Sequence, residues 1–163
     1  MIPNIIDIEA SGFDKSSYPI EIGIVLGTGE KYCSLIKPVA SWTYWSDQAE
    51  QNHHISRELL QKKGNSVNQV ANELNQFLDG KTVYSDGWVV DKPWLIELFY
   101  AARIDKTFTI SALEYILNEQ QMAIWHKTKN QVIAELSLTR HRASNDAFII
   151  QKTYTRTLNT EGI

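Results

Sequence analysis

The stretch Ile5-Ile6-Asp7-Ile8-Glu9-Ala10-Ser11-Gly12, taken with Pro19-Ile20-Glu21-Ile22-Gly23-Ile24-Val25-Leu26, decides the fold. Ile5 to Ile8 is an apolar run broken only by Asp7, the pattern of a buried strand. Pro19 to Leu26 reads as a second strand. Gly27-Thr28-Gly29 supplies turn chemistry, and Glu30 to Ile36 returns as a third strand, antiparallel to the second.

Downstream the period changes. Ser41 to Asn52 is aromatic and polar, without a clear repeat, and suits a loop with a short helix. Ser56 begins a helical turn through Leu60. From Ser66 to Leu78, the apolar residues Val67, Val70, Ala71, Leu74, Phe77 and Leu78 recur at three- and four-residue intervals, one face of a helix. Ser66 suits its N-cap and Gly80 its stop. Lys81 to Ser85 is a strand, Asp91 to Ala102 a helix and Thr107 to Ile110 a strand. Ser111 to Leu138 is expected to be mostly helical, and a last helix runs from about Ser144 to about Leu158. A hairpin-built start followed by βα units gives an α/β protein, a mixed sheet with helices on its faces. No linker divides residues 1–163, so one domain is expected.

The bulk numbers agree. The chain has 163 residues, 43% of them hydrophobic and 21% charged, which suits a globular protein with a sizeable core. Cys33 is the single cysteine, so no internal disulfide forms. It lies in an apolar stretch and is expected to be a small core residue. No apolar run has membrane-spanning length. The N-terminus lacks the basic region of a signal peptide, and a cytoplasmic location is the expectation. The net charge of −3 counts mildly against a nucleic-acid binder. Bound divalent cations would change the local sign at an acidic cluster.

Chemistry concentrates in a few residues. Asp7 and Glu9 stand two apart on a strand and so share a face. Two carboxylates side by side in a buried strand repel each other and lose hydration. A divalent cation resolves the conflict; an exposed strand end that leaves both hydrated resolves it equally well. Asp146 follows Ser144-Asn145, which also reads as a helix cap and first turn. Asp91 precedes Lys92-Pro93, likewise a common helix start. His141 lies between Arg140 and Arg142, whose charges would favour a neutral imidazole, the form a general base requires.

In order, these pieces resemble the DEDDh 3′–5′ exonucleases. Residues Ile5 to Gly12 look like the first motif, and Pro19-Ile20-Glu21-Ile22-Gly23 resembles the strand after it. His53-His54-Ile55-Ser56 is similar to the family's His-Gly-Ile-Ser segment, with His54 in place of Gly. Asp91-Lys92-Pro93-Trp94-Leu95 resembles the second motif. His141-Arg142-Ala143-Ser144-Asn145-Asp146-Ala147 matches the third, His-x-Ala-x-x-Asp-Ala, at every fixed position. The second motif departs from the pattern: Gly87 and Val90 stand where the family has Asn and Phe, and Asp86 competes with Asp91 as fourth carboxylate.

The resemblance implies a ribonuclease H-like mixed five-stranded sheet, its first three strands antiparallel. It implies Asp7, Glu9, Asp91 and Asp146 as metal carboxylates, two Mg²⁺ or Mn²⁺ ions, His141 as general base, and Ala10, Ser11 and Gly12 against the terminal nucleotide. The activity implied is removal of nucleoside 5′-monophosphates from the 3′ end of single-stranded DNA or RNA, in a protein that is often a homodimer. Trp42, Trp45 and Trp88 are candidates to stack on bases, and core packing is the alternative for each. Arg140, Arg142, Lys127 and Lys129 are candidates to attract phosphate, against a merely solvated basic face. The rival functional readings are a non-catalytic nucleic-acid-binding module of the same fold and an unrelated α/β domain whose aspartates only cap helices.

Overall fold

The computed structural model describes residues 1–159. Five strands form one sheet: β1 (Ile5–Ala10), β2 (Pro19–Val25), β3 (Lys31–Leu35), β4 (Thr82–Ser85) and β5 (Thr109–Ala112). Their spatial order is β3-β2-β1-β4-β5. The first three strands are antiparallel, with Asp7 opposite Gly23 and Glu9 opposite Glu21. β4 joins β1 in parallel, with Ile5 opposite Tyr84, and β5 joins β4 in parallel. The turn at 27–29 closes the β2–β3 hairpin, with the Gly29 N–H donating to the Leu26 carbonyl at 2.9 Å.

Helices cover both faces. They are α1 (Asp47–His53), α2 (Arg57–Lys63), α3 (Val67–Leu78), α4 (Trp88–Ala102), α5 (Glu119–Leu136) and α6 (Ala143–Leu158). The alternation of β1 splits its side chains between two cores. Ile6 and Ile8 pack with Val70 and Leu74 of α3 and Leu95 and Leu98 of α4. Ile5, on the face shared by Asp7 and Glu9, packs with Trp125 of α5 and Ala147, Ile150 and Tyr154 of α6.

Three local expectations are corrected. Helix α4 begins at Trp88, not Asp91: the Val90 and Asp91 N–H groups already donate to the Gly87 carbonyl, so Asp91 lies inside the first turn. The apolar, partly β-branched Trp88-Val89-Val90 segment has no strong helical signal of its own, and packing overrides propensity there. Ser111 belongs to β5, and a 3-10 turn at Leu113–Ile116 precedes α5. Its pairing with Tyr84 places it in the sheet. Cys33 is exposed rather than a core residue, since it lies on β3 at the edge of the sheet.

Candidate active site

The parallel pairing of β1 with β4 brings their carboxyl ends to the same edge of the molecule, the usual place for a site in such sheets. Asp7 and Glu9 project there from β1. The Ser85-Asp86-Gly87 turn leaves β4 at the same edge and feeds α4, which carries Asp91. Helix α6 packs across β1 and β2 and delivers Asp146 from its first turn. The loop before it supplies His141.

The acidic groups fall into two halves. On one side, Glu9, His141 and Asp146 each place a ligand atom within 4.8 Å of the other two. On the other, the strongest repulsion on Asp7 comes from Asp91, ahead of Glu9, Asp146 and Asp86. Burial first, and then these neighbours, hold the Asp7 carboxyl well above the ordinary range. Burial and the charge of Asp146 push Glu9 up to about 8. Burial likewise pushes Asp91 up to about 8, although the Ser85 hydroxyl donates to its Oδ2 at 2.6 Å. The clustered carboxylate oxygens could hold a divalent cation such as Mg²⁺ or Mn²⁺.

Asp86 and Asp91 stand in different surroundings. Asp91 is 3% exposed and faces the cluster, whereas Asp86 is tied to Lys129 at 2.9 Å in an ion pair at the surface. A cavity of about 280 Å³ opens over the site and is lined by Asp7, Glu9, Asp91 and His141 together with Ala10, Gly12 and Phe13. Of the three residues expected against the terminal nucleotide, Ala10 and Gly12 line this cavity. Ser11 is fully buried, and its Oγ accepts the Tyr18 N–H at 3.1 Å. A Cβ at Gly12 would lie 2.6 Å from the Tyr44 ring, so a side chain there requires that ring to shift.

What seats the third motif was not legible in advance. The N-cap of α6 is Arg142, with no capping side chain of its own, and Ser144 lies inside the helix. The cap comes from β2. Glu21, 1% exposed, accepts the Ala143 N–H at 2.8 Å and three bonds from the Arg142 guanidinium. Its charge complements the positive end of the helix. His141 sits at φ 60°, a left-handed conformation uncommon for a non-glycine residue. Its N–H donates to Asp146 Oδ2 at 3.1 Å, which locks the loop onto the helix.

The basic residues are therefore largely committed. Arg142 pairs with Glu21, Arg140 with Asp146 and Lys129 with Asp86. The two arginines do not stand as bare charges beside the His141 ring, and the proposed basic face reduces to the exposed Lys127. The three tryptophans take the core-packing alternative. Trp42 is buried, stacks on Tyr18 at 5.3 Å and donates to Glu97. Trp45 meets His53 edge-on, and Trp88 is half-buried beneath Lys92. The aromatic residues at the cavity are instead Phe13, 74% exposed, and Trp94. Their sequence signal was position: Phe13 directly follows Gly12, and Trp94 lies three residues after Asp91.

The fold is shared with solved exonucleases. Exonuclease I from Methylocaldum szegediense superposes with a TM-score of 0.74 at 11% identity, over 98% of this chain and 40% of that one. Exonuclease I of E. coli in complex with a dA16 oligonucleotide gives 0.71 at 11% identity, over 98% of this chain and 41% of that one. A product-bound exonuclease I gives 0.71 at 11% identity, over 98% and 44%. The architecture is ribonuclease H-like. This ribonuclease H-like chain spans about 40% of the length of the exonuclease I chains it matches. No family model and no curated protein matches its sequence. Among the described residues, no helix is long and apolar enough to cross a membrane.

Proposed function

We propose that the chain is a metal-dependent 3′–5′ exonuclease acting on single-stranded nucleic acid and releasing nucleoside 5′-monophosphates. One observation carries the reading: Asp7, Glu9, Asp91, Asp146 and His141, distant in sequence, gather at one edge of a sheet that has the exonuclease I fold. Two of the exonuclease I structures it resembles hold an oligonucleotide or a product.

Asp7, Glu9 and Asp146 would hold a first divalent ion, and Asp7 a second, with Asp91 assisting through water. Bound there, such a pair of ions activates water and neutralises charge on the attacking and leaving oxygens of a phosphodiester. The protein supplies the rest. His141, exposed on its loop, accepts the proton of the attacking water. Asp91, fixed by the Ser85 hydroxyl, places its carboxyl on the far side of the cluster. Gly12 lets the terminal nucleotide approach the backbone. Phe13 and Trp94 offer faces on which bases stack, which serves single strands of any sequence.

The test is a panel of 5′-labelled single-stranded and duplex DNA and RNA, incubated with Mg²⁺ or Mn²⁺. Shortening from the 3′ end is expected, with Asp7→Ala and His141→Ala each slowing it by roughly 10²-fold or more. A protein inactive on both DNA and RNA single strands with either metal is not the enzyme proposed.

A further inference from the structure

Arg140 occupies an unexpected place. Its Nε donates to Asp146 Oδ1 at 2.9 Å, so a guanidinium is bonded to one of the carboxylates grouped with Glu9 and His141. The other oxygen of Asp146 takes the His141 N–H at 3.1 Å. Arg140 is held less firmly than its neighbour Arg142. Arg142 makes several bonds to the buried Glu21. Among the described residues, Arg140 has only the one to Asp146, and its side chain is 33% exposed.

We propose that Arg140 is the resident counter-ion of the carboxylate cluster, which a divalent metal must displace from Asp146, so that this residue sets the metal affinity of the site. The proposal rests on the metal-dependent reading above. Its physics is simple. A guanidinium and a divalent cation on the same carboxylate repel each other, and this carboxylate is only 12% exposed, so water screens the repulsion poorly. A charge-assisted hydrogen bond must also break or stretch as the metal enters. Without metal, Arg140 partners the carboxylate whose charge bears most strongly on Glu9. A single bond and partial exposure let Arg140 swing into solvent once it is released.

Mn²⁺ titration of the full chain without nucleic acid, followed by the electron paramagnetic resonance signal of free Mn²⁺, tests this. Arg140→Gln is expected to bind Mn²⁺ on the order of tenfold more tightly than wild type, and Arg140→Lys to fall between the two. Removing an exposed cation elsewhere, Lys62→Gln, should leave the affinity near wild type. A second readout follows the ¹⁵N–¹H signal of Arg140 Nε during Mg²⁺ addition to wild type, where protection from exchange should be lost as the site fills. Equal or weaker Mn²⁺ binding by Arg140→Gln, or an Nε signal indifferent to saturating Mg²⁺, overturns the role of Arg140 alone. Failure of every form, wild type included, to bind Mn²⁺ overturns the metal site itself.

Discussion

Gly23 on β2 lies against the backbone of Ala143, so closely that a Cβ added at Gly23 would sit 2.3 Å from the Ala143 carbonyl carbon. The start of α6 thus rests directly on the sheet, and the spacing of His141 and Asp146 from Glu9 depends on that contact. A methyl group there has only backbone to push against. Gly23→Ala should destabilise the protein by at least ~1–3 kcal/mol, the usual cost of overpacking. Urea unfolding measures it, and activity per folded molecule should fall as well. A variant as stable and active as wild type would mean that α6 can shift freely.

Glu21 is the second half of the same device, since it caps α6 from the neighbouring strand. Glu21→Ala leaves the Ala143 N–H without its buried acceptor. Arg142 keeps access to water, its side chain being 40% exposed, which limits the penalty. A loss of about 2–3 kcal/mol is expected. Glu21→Gln, which retains an acceptor oxygen, should recover part of it in the same urea experiment.

The acidic cluster trades stability for chemistry. Burial, and then the charges of Asp91, Glu9, Asp146 and Asp86, hold the Asp7 carboxyl well above the ordinary carboxylate range. Asp7→Asn should therefore raise the melting temperature of chelator-treated protein while abolishing activity. Wild type should gain about 2.7 kcal/mol with a metal supplied at a hundred times its dissociation constant, and the variant much less. Calorimetry with and without Mg²⁺ separates the two effects. If Asp7→Asn melts lower than wild type without metal, the picture of stored repulsion is wrong.

Asp86 and Asp91 should behave differently. Asp91→Asn is expected to cost roughly 10²-fold or more in kcat, as loss of a preorganised electrostatic group does. Asp86→Asn breaks only a surface pair with Lys129, and its effect should stay within a few-fold. Steady-state kinetics on one short oligonucleotide would reveal the reverse order if Asp86 were the working carboxylate.

His53 predicts a pH dependence. It is 2% exposed, and its Nδ1 accepts the Ile55 N–H at 3.0 Å. Burial lowers its pKa below the ordinary 6.5, so the folded state favours the neutral ring. The unfolded chain then binds more protons below pH 6.5, and stability falls as pH drops from there through the lower folded value. His53→Gln should flatten that part of the stability curve measured by urea between pH 7.5 and 5. An equal slope in both proteins would assign the acid sensitivity elsewhere.

Much of this protein is local and therefore readable from sequence. The alternation in Ile5 to Glu9 fixes which side chains enter which core, and the three- and four-residue spacing from Val67 to Leu78 fixes a helix and its buried face. The order of Asp7-x-Glu9 and His141-x-Ala143-x-x-Asp146 was equally plain. The tertiary structure decided what lies between distant segments. It buried Asp91, paired Asp86 with Lys129, and began α4 a turn early because packing overrides weak propensity. It turned Arg140 and Arg142 from phosphate attractors into partners of Asp146 and Glu21, the latter 121 residues away. Periodicity and capping are properties of a few neighbouring residues. Charge pairing and close approach depend on the distances that folding alone sets, and no local pattern encodes them.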